Sequence, residues 1–458
     1  MGTRLSVTCV GVALASLMSF CEANAGGFCF ESPVDYAASL IPSSVSAGDL
    51  DGDGDADLVV TNYGSDTASV FLNNGNGTFG TATKYRVGDG PSSVVTADLD
   101  GDGDRDLAVA NTLGGSISVL KGNGNGTFAA GFNFLCNSRP MSVIAADLDG
   151  DGDADLAVTN GDLSQVSVLK NSGIGTFAAA VGYPVGAAPR GMSAADMNGD
   201  GAIDLLLADS ADGDIAVLTN IGNGTFGSPS VHQIGGGPVS VFASDLNGDG
   251  MPDLAGARAD SNKLSVLRNI SPEIYSVPVG YSVGASPHSV FATDLDWDGA
   301  VDLVSANQGS NNISGLRNNG SGTFAAAVNF AAGNGAASVW AADLDGDGDS
   351  DLAVANSGSD NISILINCSP PCACPAQGDA MSDGVLDVFD VVALLEYAFQ
   401  NGTQPIQDPI CPHVDRGDVD CNGVDDVLDV VYLIEHVFHS GPAPCNPCAC
   451  NPYPGNCP

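Results

Sequence analysis

The chain has 458 residues, 44% of them apolar and only 15% charged, with 13 basic residues against 55 acidic ones and a net charge of −42. That apolar content excludes global disorder, and the acid excess repels phosphate backbones, so nucleic acid is excluded as a partner. The length alone allows two to four domains, or one long repeat array.

Residues 1–25 read as an export signal. Arg4 supplies the positive start, residues 5–20 the apolar stretch, and Ala23-Asn24-Ala25 a small-x-small cleavage site. Cys21 follows the bulky Phe20, which does not suit a lipoprotein signal. No later segment has the roughly 18 uninterrupted apolar residues of a membrane span. The mature protein is therefore expected to be soluble, monomeric and either secreted, cell-surface or periplasmic, where calcium is plentiful and disulfides persist.

From residue 28 a 49-residue period takes over. Asp49, Asp98, Asp147, Asp196, Asp245, Asp294 and Asp343 are evenly spaced, without one insertion. Each is followed at a fixed offset by a Leu, from Leu58 to Leu352, and six are preceded by a Pro, from Pro42 to Pro287. One period contains four short runs rich in β-branched residues and bounded by Gly/Asn turns, which is the strand signature. In the second repeat these are 92–97, 107–111, Ser116–Leu120 and 128–134. Four strands per unit of this length predict propeller blades, and seven units predict an all-β, seven-bladed β-propeller over residues 28–367.

The ends of the array predict how the ring closes. Phe79, Phe128, Phe177, Phe226, Tyr275 and Phe324 are read as opening the fourth strand of successive units, and one period before Phe79 stands Phe30. Residues 30–37 are thus expected to complete the last blade beside 362–366, removing two open sheet edges. Cys29 and Cys368 then flank one turn, equivalent to Thr78 and Asn74, and are expected to form a disulfide. Cys136 falls in an apolar column with Val87, Val185 and Val283, and is expected to be a free buried thiol.

Each loop after the first Asp reads as a cation site, because alternating acids in a tight loop supply the oxygen ligands a hard ion such as calcium takes. The ligand sets are Asp49, Asp51, Asp53, Asp55 and Asp57 in the first loop, and Asp98, Asp100, Asp102, Asp104 and Asp106 in the second. The third has Asp147, Asp149, Asp151, Asp153 and Asp155. In the fourth and fifth, Asp196, Asn198, Asp200, Ala202 and Asp204, and Asp245, Asn247, Asp249, Met251 and Asp253, an Asn carbonyl replaces one carboxylate. The sixth has Asp294, Asp296, Asp298, Ala300 and Asp302, and the seventh Asp343, Asp345, Asp347, Asp349 and Asp351. The residue at the seventh loop position (Asp55, Ala202, Met251 and their equivalents) is expected to offer its backbone carbonyl, and the ninth-position Asp to close the site. About seven calcium ions, structural in role, are expected in the propeller.

These residues, Asp-x-Asp-Gly-Asp-Gly-x-x-Asp-Leu with a Gly-Thr-Phe element, resemble the FG-GAP or VCBS repeats of integrin-α-like propellers. The resemblance covers about residues 28–367 and implies the propeller fold and its calcium; members serve in adhesion, as lectins and within extracellular enzymes.

After a Cys/Pro linker at 368–377, two loop–helix segments follow over 378–440. The first places Asp379, Asp383, Val385, Asp387 and Asp390 at loop positions 1, 5, 7, 9 and 12, with Met381 at position 3. The second places Asp418, Asp420, Asn422, Val424, Asp426 and Asp429 at positions 1, 3, 5, 7, 9 and 12. Amphipathic helices are expected over 388–400 and 427–439. The pair resembles a dockerin, which implies an α-helical domain holding one or two calcium ions and a cohesin-like protein as partner; a calcium-stabilised spacer is the plainer reading. Arg416-Gly417-Asp418 spells an adhesion tripeptide, but Asp418 is expected to be buried on the ion. Residues 441–458 form a Cys/Pro-rich tail, where disulfides are expected over zinc at Cys445 and Cys448.

The functional expectation is an extracellular recognition or scaffold protein, its propeller binding a glycan or protein and its tail mediating attachment. The alternative is a polysaccharide-active enzyme tethered by that tail. Because no insertion interrupts the repeat and His232, His288, His413, His436 and His439 are scattered, a non-enzyme is expected.

Overall fold

A computed structural model of the protein describes residues 27–136, 139–272 and 274–368. The expected signal segment and nearly all of the C-terminal region, including the dockerin-like ligands Asp379 to Asp429, lie outside the described residues. Within them the chain makes seven antiparallel four-stranded sheets. No helix there is long and apolar enough to cross a membrane.

Blade 1 shows the plan. Its strands are Pro42–Gly48, Asp57–Asn62, Thr67–Phe71 and Thr83–Arg86, paired in that order from the innermost outwards. A register shift between Pro42 and Ser44 recurs at the start of every innermost strand, at a Pro in six blades, which cannot donate to the ladder, and at Ala336 in the seventh. The second strand, Asp57–Asn62, is buried along its whole length. Each blade is covered on both faces by its neighbours, so both alternating side-chain sets must be apolar or hydrogen-bonded.

The core is accordingly divided into seven layers, one between each pair of adjacent blades. Leu58, Val60 and Phe71 of blade 1 pack on Ala353, Ala355, Ile362 and Ile364 of blade 7. Val59, Ala68 and Val70 face Leu107, Val109 and Leu120 of blade 2.

The ring closes as the Phe column predicts. Val34–Ala37 pairs with Asn361–Leu365 of blade 7, Val34 opposite Ile364 and Ala37 opposite Asn361, and Phe30 bridges Asn367. The Cys368 N–H donates to the Cys29 carbonyl at 2.9 Å, just as Asn74 donates to Thr78 at 2.9 Å in blade 1. Cys136 is a free buried thiol, pushed up to about 11 by burial.

The fourth strand departs from expectation. In blade 2 it is Phe132–Leu135, so Phe128 does not begin it. Phe128 instead forms a single bridge to Gly122, and its ring stacks edge-to-face on Tyr85 of blade 1 with centroids 5.4 Å apart. Phe79, Phe177, Phe226 and Phe324 do the same around the disc, Tyr275 lies tilted on His232 at 4.3 Å, and Phe30 completes the set against Phe330 at 4.9 Å. A ring turned back onto the preceding blade cannot also start an edge strand; the strand begins four residues later. In blade 5 the bridge is extended into a two-stranded ribbon, Asn269–Ser271 with Ile274–Tyr275.

Candidate metal centre

The acidic loops join the first and second strands of every blade, so all seven lie on one rim. Asp49 sets the loop: its carboxylate accepts the Gly52 N–H at 2.7 Å and the Gly54 N–H at 3.2 Å. Asp51 and Asp53 each cap the amide two residues on, at 3.3 and 3.0 Å. These local bonds are the reason short acidic side chains suit a turn. Gly54 has φ +97°, and a Cβ there would touch nothing within 4 Å, so backbone conformation and not crowding demands glycine. In blade 6 the residue matching Gly52 is Trp297, which adopts φ +58° and leaves its indole half exposed.

The ninth-position Asp does something the loop pattern did not reveal. Asp57 is fully buried, and its two oxygens accept the N–H groups of Leu50 at 2.9 Å and Asn73 at 2.8 Å. Asp106, Asp155, Asp204, Asp253, Asp302 and Asp351 repeat this with the amides seven residues before and sixteen after. This residue staples the loop to the third strand first and lines the site second. Burial pushes Asp57, Asp106, Asp155, Asp204 and Asp253 up to about 6, Asp302 to about 7 and Asp351 to about 8, against the lowering effect of those amides.

A second unpredicted element is an Asn sixteen residues further on. Asn171 Nδ2 donates to Ala154 O at 3.0 Å and, across the blade boundary, to Leu99 O at 2.7 Å. Asn73, Asn220, Asn318 and Asn367 make the same two bonds, and Asn269 makes the cross-blade one. Blade 2 has Gly122 here instead. This column, at the fixed 49-residue spacing, was a legible signal.

The structure brings three carboxylates within 4.8 Å of one another in five loops: Asp49/Asp51/Asp53, Asp98/Asp100/Asp106, Asp147/Asp149/Asp155, Asp294/Asp296/Asp302 and Asp343/Asp345/Asp347. Buried carboxylate oxygens without a hydrogen-bond partner remain on Asp100, Asp149, Asp294 and Asp349. All are hard oxygen donors, and oxygens stranded out of water in a cluster of like charge fit a hard divalent cation. Asp349 is the extreme case: burial, then Asp347, push it up to about 10. Asp102, Asp104, Asp151, Asp153, Asp298 and Asp347 cap their loops or flank the clusters, their carboxylates lying at the rim.

In the fourth and fifth loops the Asn side chains point their amides at acids. Asn198 Nδ2 donates to Asp200 at 2.9 Å and Asn247 Nδ2 to Asp253 at 3.1 Å, while their carbonyl oxygens accept the N–H groups of Asp200 and Asp249. Asp196 and Asp245 cap these loops as Asp49 does. The amides of Ala202, Met251 and Ala300 donate to the carboxylates two residues earlier.

Three loops carry their own cation. Lys121 Nζ lies 2.7 Å from Asp100, Lys170 Nζ 3.0 Å from Asp149, and Arg317 pairs with both Asp296 and Asp298. Lys121 holds the Asp100 carboxyl below the usual carboxylate range, whereas burial and Asp53 raise that of Asp51, which has no such partner.

An acid-lined rim on a seven-bladed propeller defines a class, and sequence comparison places the chain in it. The pattern of FG-GAP-like repeats matches residues 49–109, 98–158, 149–207, 196–256, 245–305 and 294–354, and the protein belongs to that family. No curated protein matches the chain. Among solved structures it is similar to a lectin of Agrocybe aegerita that recognises non-reducing terminal N-acetylglucosamine, at 21% identity, over 64% of this chain and 80% of that one, with a TM-score of 0.47. It is also similar to virginiamycin B lyase from Staphylococcus aureus (13%, 73% and 98%, TM-score 0.52) and to the periplasmic gluconolactonase of Pseudomonas aeruginosa (18%, 69% and 95%, TM-score 0.52). At these identities the likeness is one of fold. It corrects one expectation: propellers of this shape include enzymes, so an uninterrupted repeat is no ground for calling the chain a non-enzyme.

Proposed function

We propose that the protein is an exported, calcium-stabilised recognition propeller, its disc held rigid by ions in the rim loops and its C-terminal region attaching it to a partner. The observation that carries the calcium reading is the set of five three-carboxylate clusters, three of which hold stranded buried oxygens, with Asp349 stranded beside a fourth. Calcium there would supply the positive charge that these acids lack. The first, third and fifth loop residues would hold it, with the ninth contributing where it joins the cluster. A bridge between Cys29 and Cys368 would lock the same closure, and their paired backbones support it.

For recognition, the innermost strands offer an arc of half-buried aromatic rings on three adjacent blades. Phe242 and Phe291 lie 4.7 Å apart and Phe291 and Trp340 5.1 Å apart. Flat apolar faces of this kind accept a sugar ring or an apolar side chain. Two measurements test the reading. Metal analysis of the purified protein should find calcium, and a chelator should lower the melting temperature sharply; an unchanged melt with no metal found would refute it. Binding to a glycan array in calcium should weaken in Phe291→Ala, and unaltered binding would move recognition elsewhere.

A further inference from the structure

The seven rim loops are not equivalent, and their differences follow one position in the repeat. Lys121, Lys170 and Arg317 occupy the same place, at the end of the third strand, that Leu72 holds in blade 1 and Ile366 in blade 7. Blade 4 has Thr219 there and blade 5 Arg268, which lies beside Asn247 over Gly322. Where the cation meets a third-position Asp, as in blades 2, 3 and 6, it is ion-paired to that carboxylate, Asp100, Asp149 or Asp296. That carboxylate then clusters with the first Asp and the buried ninth Asp. Where Leu72 or Ile366 stands, the third carboxylate clusters with the first and the fifth, on the open side of the loop.

The cationic and apolar side chains share one structural task. Lys121 Nζ reaches Ile174 O of the following blade at 3.2 Å, and Lys170 Nζ reaches Asn223 O at 2.5 Å. Leu72 and Ile366 instead lie over Gly126 and Gly77 of the following blade, so close that an added Cβ would come within 2.6 and 2.5 Å of them. Either kind of residue ties a blade to the next, but only the cations neutralise the loop. In the fourth and fifth loops Asn198 and Asn247 remove one carboxylate and donate to another.

We infer that divalent-cation dependence is concentrated in the loops of blades 1 and 7, which flank the ring closure, while Lys121, Lys170 and Arg317 stand in for much of the ion's charge in blades 2, 3 and 6. The inference rests on the calcium reading above. Blade 7 also holds Asp349, 2% exposed with neither carboxylate oxygen partnered and, among the described residues, no cation beside it, whereas the stranded oxygens of Asp100, Asp149 and Asp296 sit on carboxylates already ion-paired to Lys121, Lys170 and Arg317. A resident positive charge beside the third carboxylate both repels an incoming cation and ties up one of its ligands. The self-neutralised loops should therefore bind calcium about tenfold or more weakly than loops 1 and 7.

The test is calcium titration of the full chain by calorimetry, comparing variants so that any sites in the C-terminal region cancel as a constant background. Asp51→Asn and Asp345→Asn should each remove one tight site. Asp100→Asn and Asp149→Asn should leave the number of tight sites unchanged, and Lys121→Leu with Lys170→Leu should add two. A second readout needs no loop variant. Trp297 lies over the blade 7 loop, within 3.7 Å of where a Cβ on Gly348 would stand. Because Trp297 belongs to the weaker blade 6 loop as well, Trp-sensitised terbium luminescence should rise in two phases, the first at the lowest terbium concentrations from blade 7, and Trp297→Phe should abolish that first phase. Loss of a tight site in Asp100→Asn, or a Trp297 signal that appears only after the other sites fill, would overturn this inference while leaving calcium in place. A chain that binds no calcium would overturn both.

Discussion

Blade 4 breaks the repeat at a place unrelated to the metal loops, and the break has a calculable cost. Five blades end their second strand with a buried Asn, at 62, 111, 160, 307 and 356, whose amide donates to hydroxyl or amide oxygens on the third strand. Blade 4 has Asp209 there, facing Asp214 across the turn, and Ala216 where the others carry Ser. Asp209 is fully buried; its Oδ2 accepts the Gly186 N–H at 3.1 Å, and its Oδ1 has no partner. Burial, then Asp214, push its carboxyl up from 3.8 to about 7. A carboxyl whose folded value lies above its unfolded one contributes stability that is fully present below 3.8 and is lost as pH rises through about 7. At about 1.4 kcal/mol per tenfold change in proton affinity, that loss is about 4 kcal/mol. Asp209→Asn removes the charge and restores a donor, which can reach Asp214 as Asn111 reaches Ser116 at 3.2 Å. Urea unfolding at fixed calcium should show the variant more stable than the parent by about 2–4 kcal/mol at pH 8.5 and by little at pH 4. An equal or lower stability of the variant at pH 8.5 would refute the reasoning.

The stapling role of the ninth Asp predicts a contrast. Asp204→Ala strands the amides of Met197 and Asn220 and should cost about 2–5 kcal/mol even in chelator, where Asp53→Ala at the exposed rim should stay within about 0.5 kcal/mol. Equal effects of the two variants in chelator, read by chemical denaturation, would refute the stapling role. Phe30→Ala should cost about 3–5 kcal/mol by emptying its place against Phe330 and Asn367, read as a fall in melting temperature with strand content retained before the melt. Cys136 should resist iodoacetamide at pH 8 in the native protein and react once the chain is unfolded; rapid native labelling would contradict its burial.

The blade count and the closing strand were legible because both rest on register. A strict period leaves Phe30 no other position, and an interior buried on both faces needs the apolar columns. The strand limits were less legible around Phe128, since a Gly-rich turn followed by an aromatic reads locally as a strand start. Only the preceding blade, which takes the ring, decides otherwise. The acids of the loops were found by type and spacing, but their division of labour was not. Asp57 and Asp51 look alike in a ligand motif, yet one is held by the Leu50 amide within the loop and the Asn73 amide beyond it, while the other caps only Asp53 and faces the carboxylate cluster. Lys121 and Lys170 gave no local signal, because their partners lie two strands away in sequence.

The closing strand also sets a timetable for folding. Asp35 and Ser363, joined by a hydrogen bond in the last blade, are 328 residues apart. At roughly 5–20 residues per second, the first strand made waits on the order of tens of seconds for its partner to be synthesised. Throughout that interval blade 7 has no outer strand and residues 34–37 have no sheet, while neighbouring blades can already pair through contacts local to each repeat. The slow step is then a single long-range docking event. A chain truncated within blade 7, before Leu365, would keep its other blades and still carry an unsatisfied edge, which makes such fragments prone to join one another end to end.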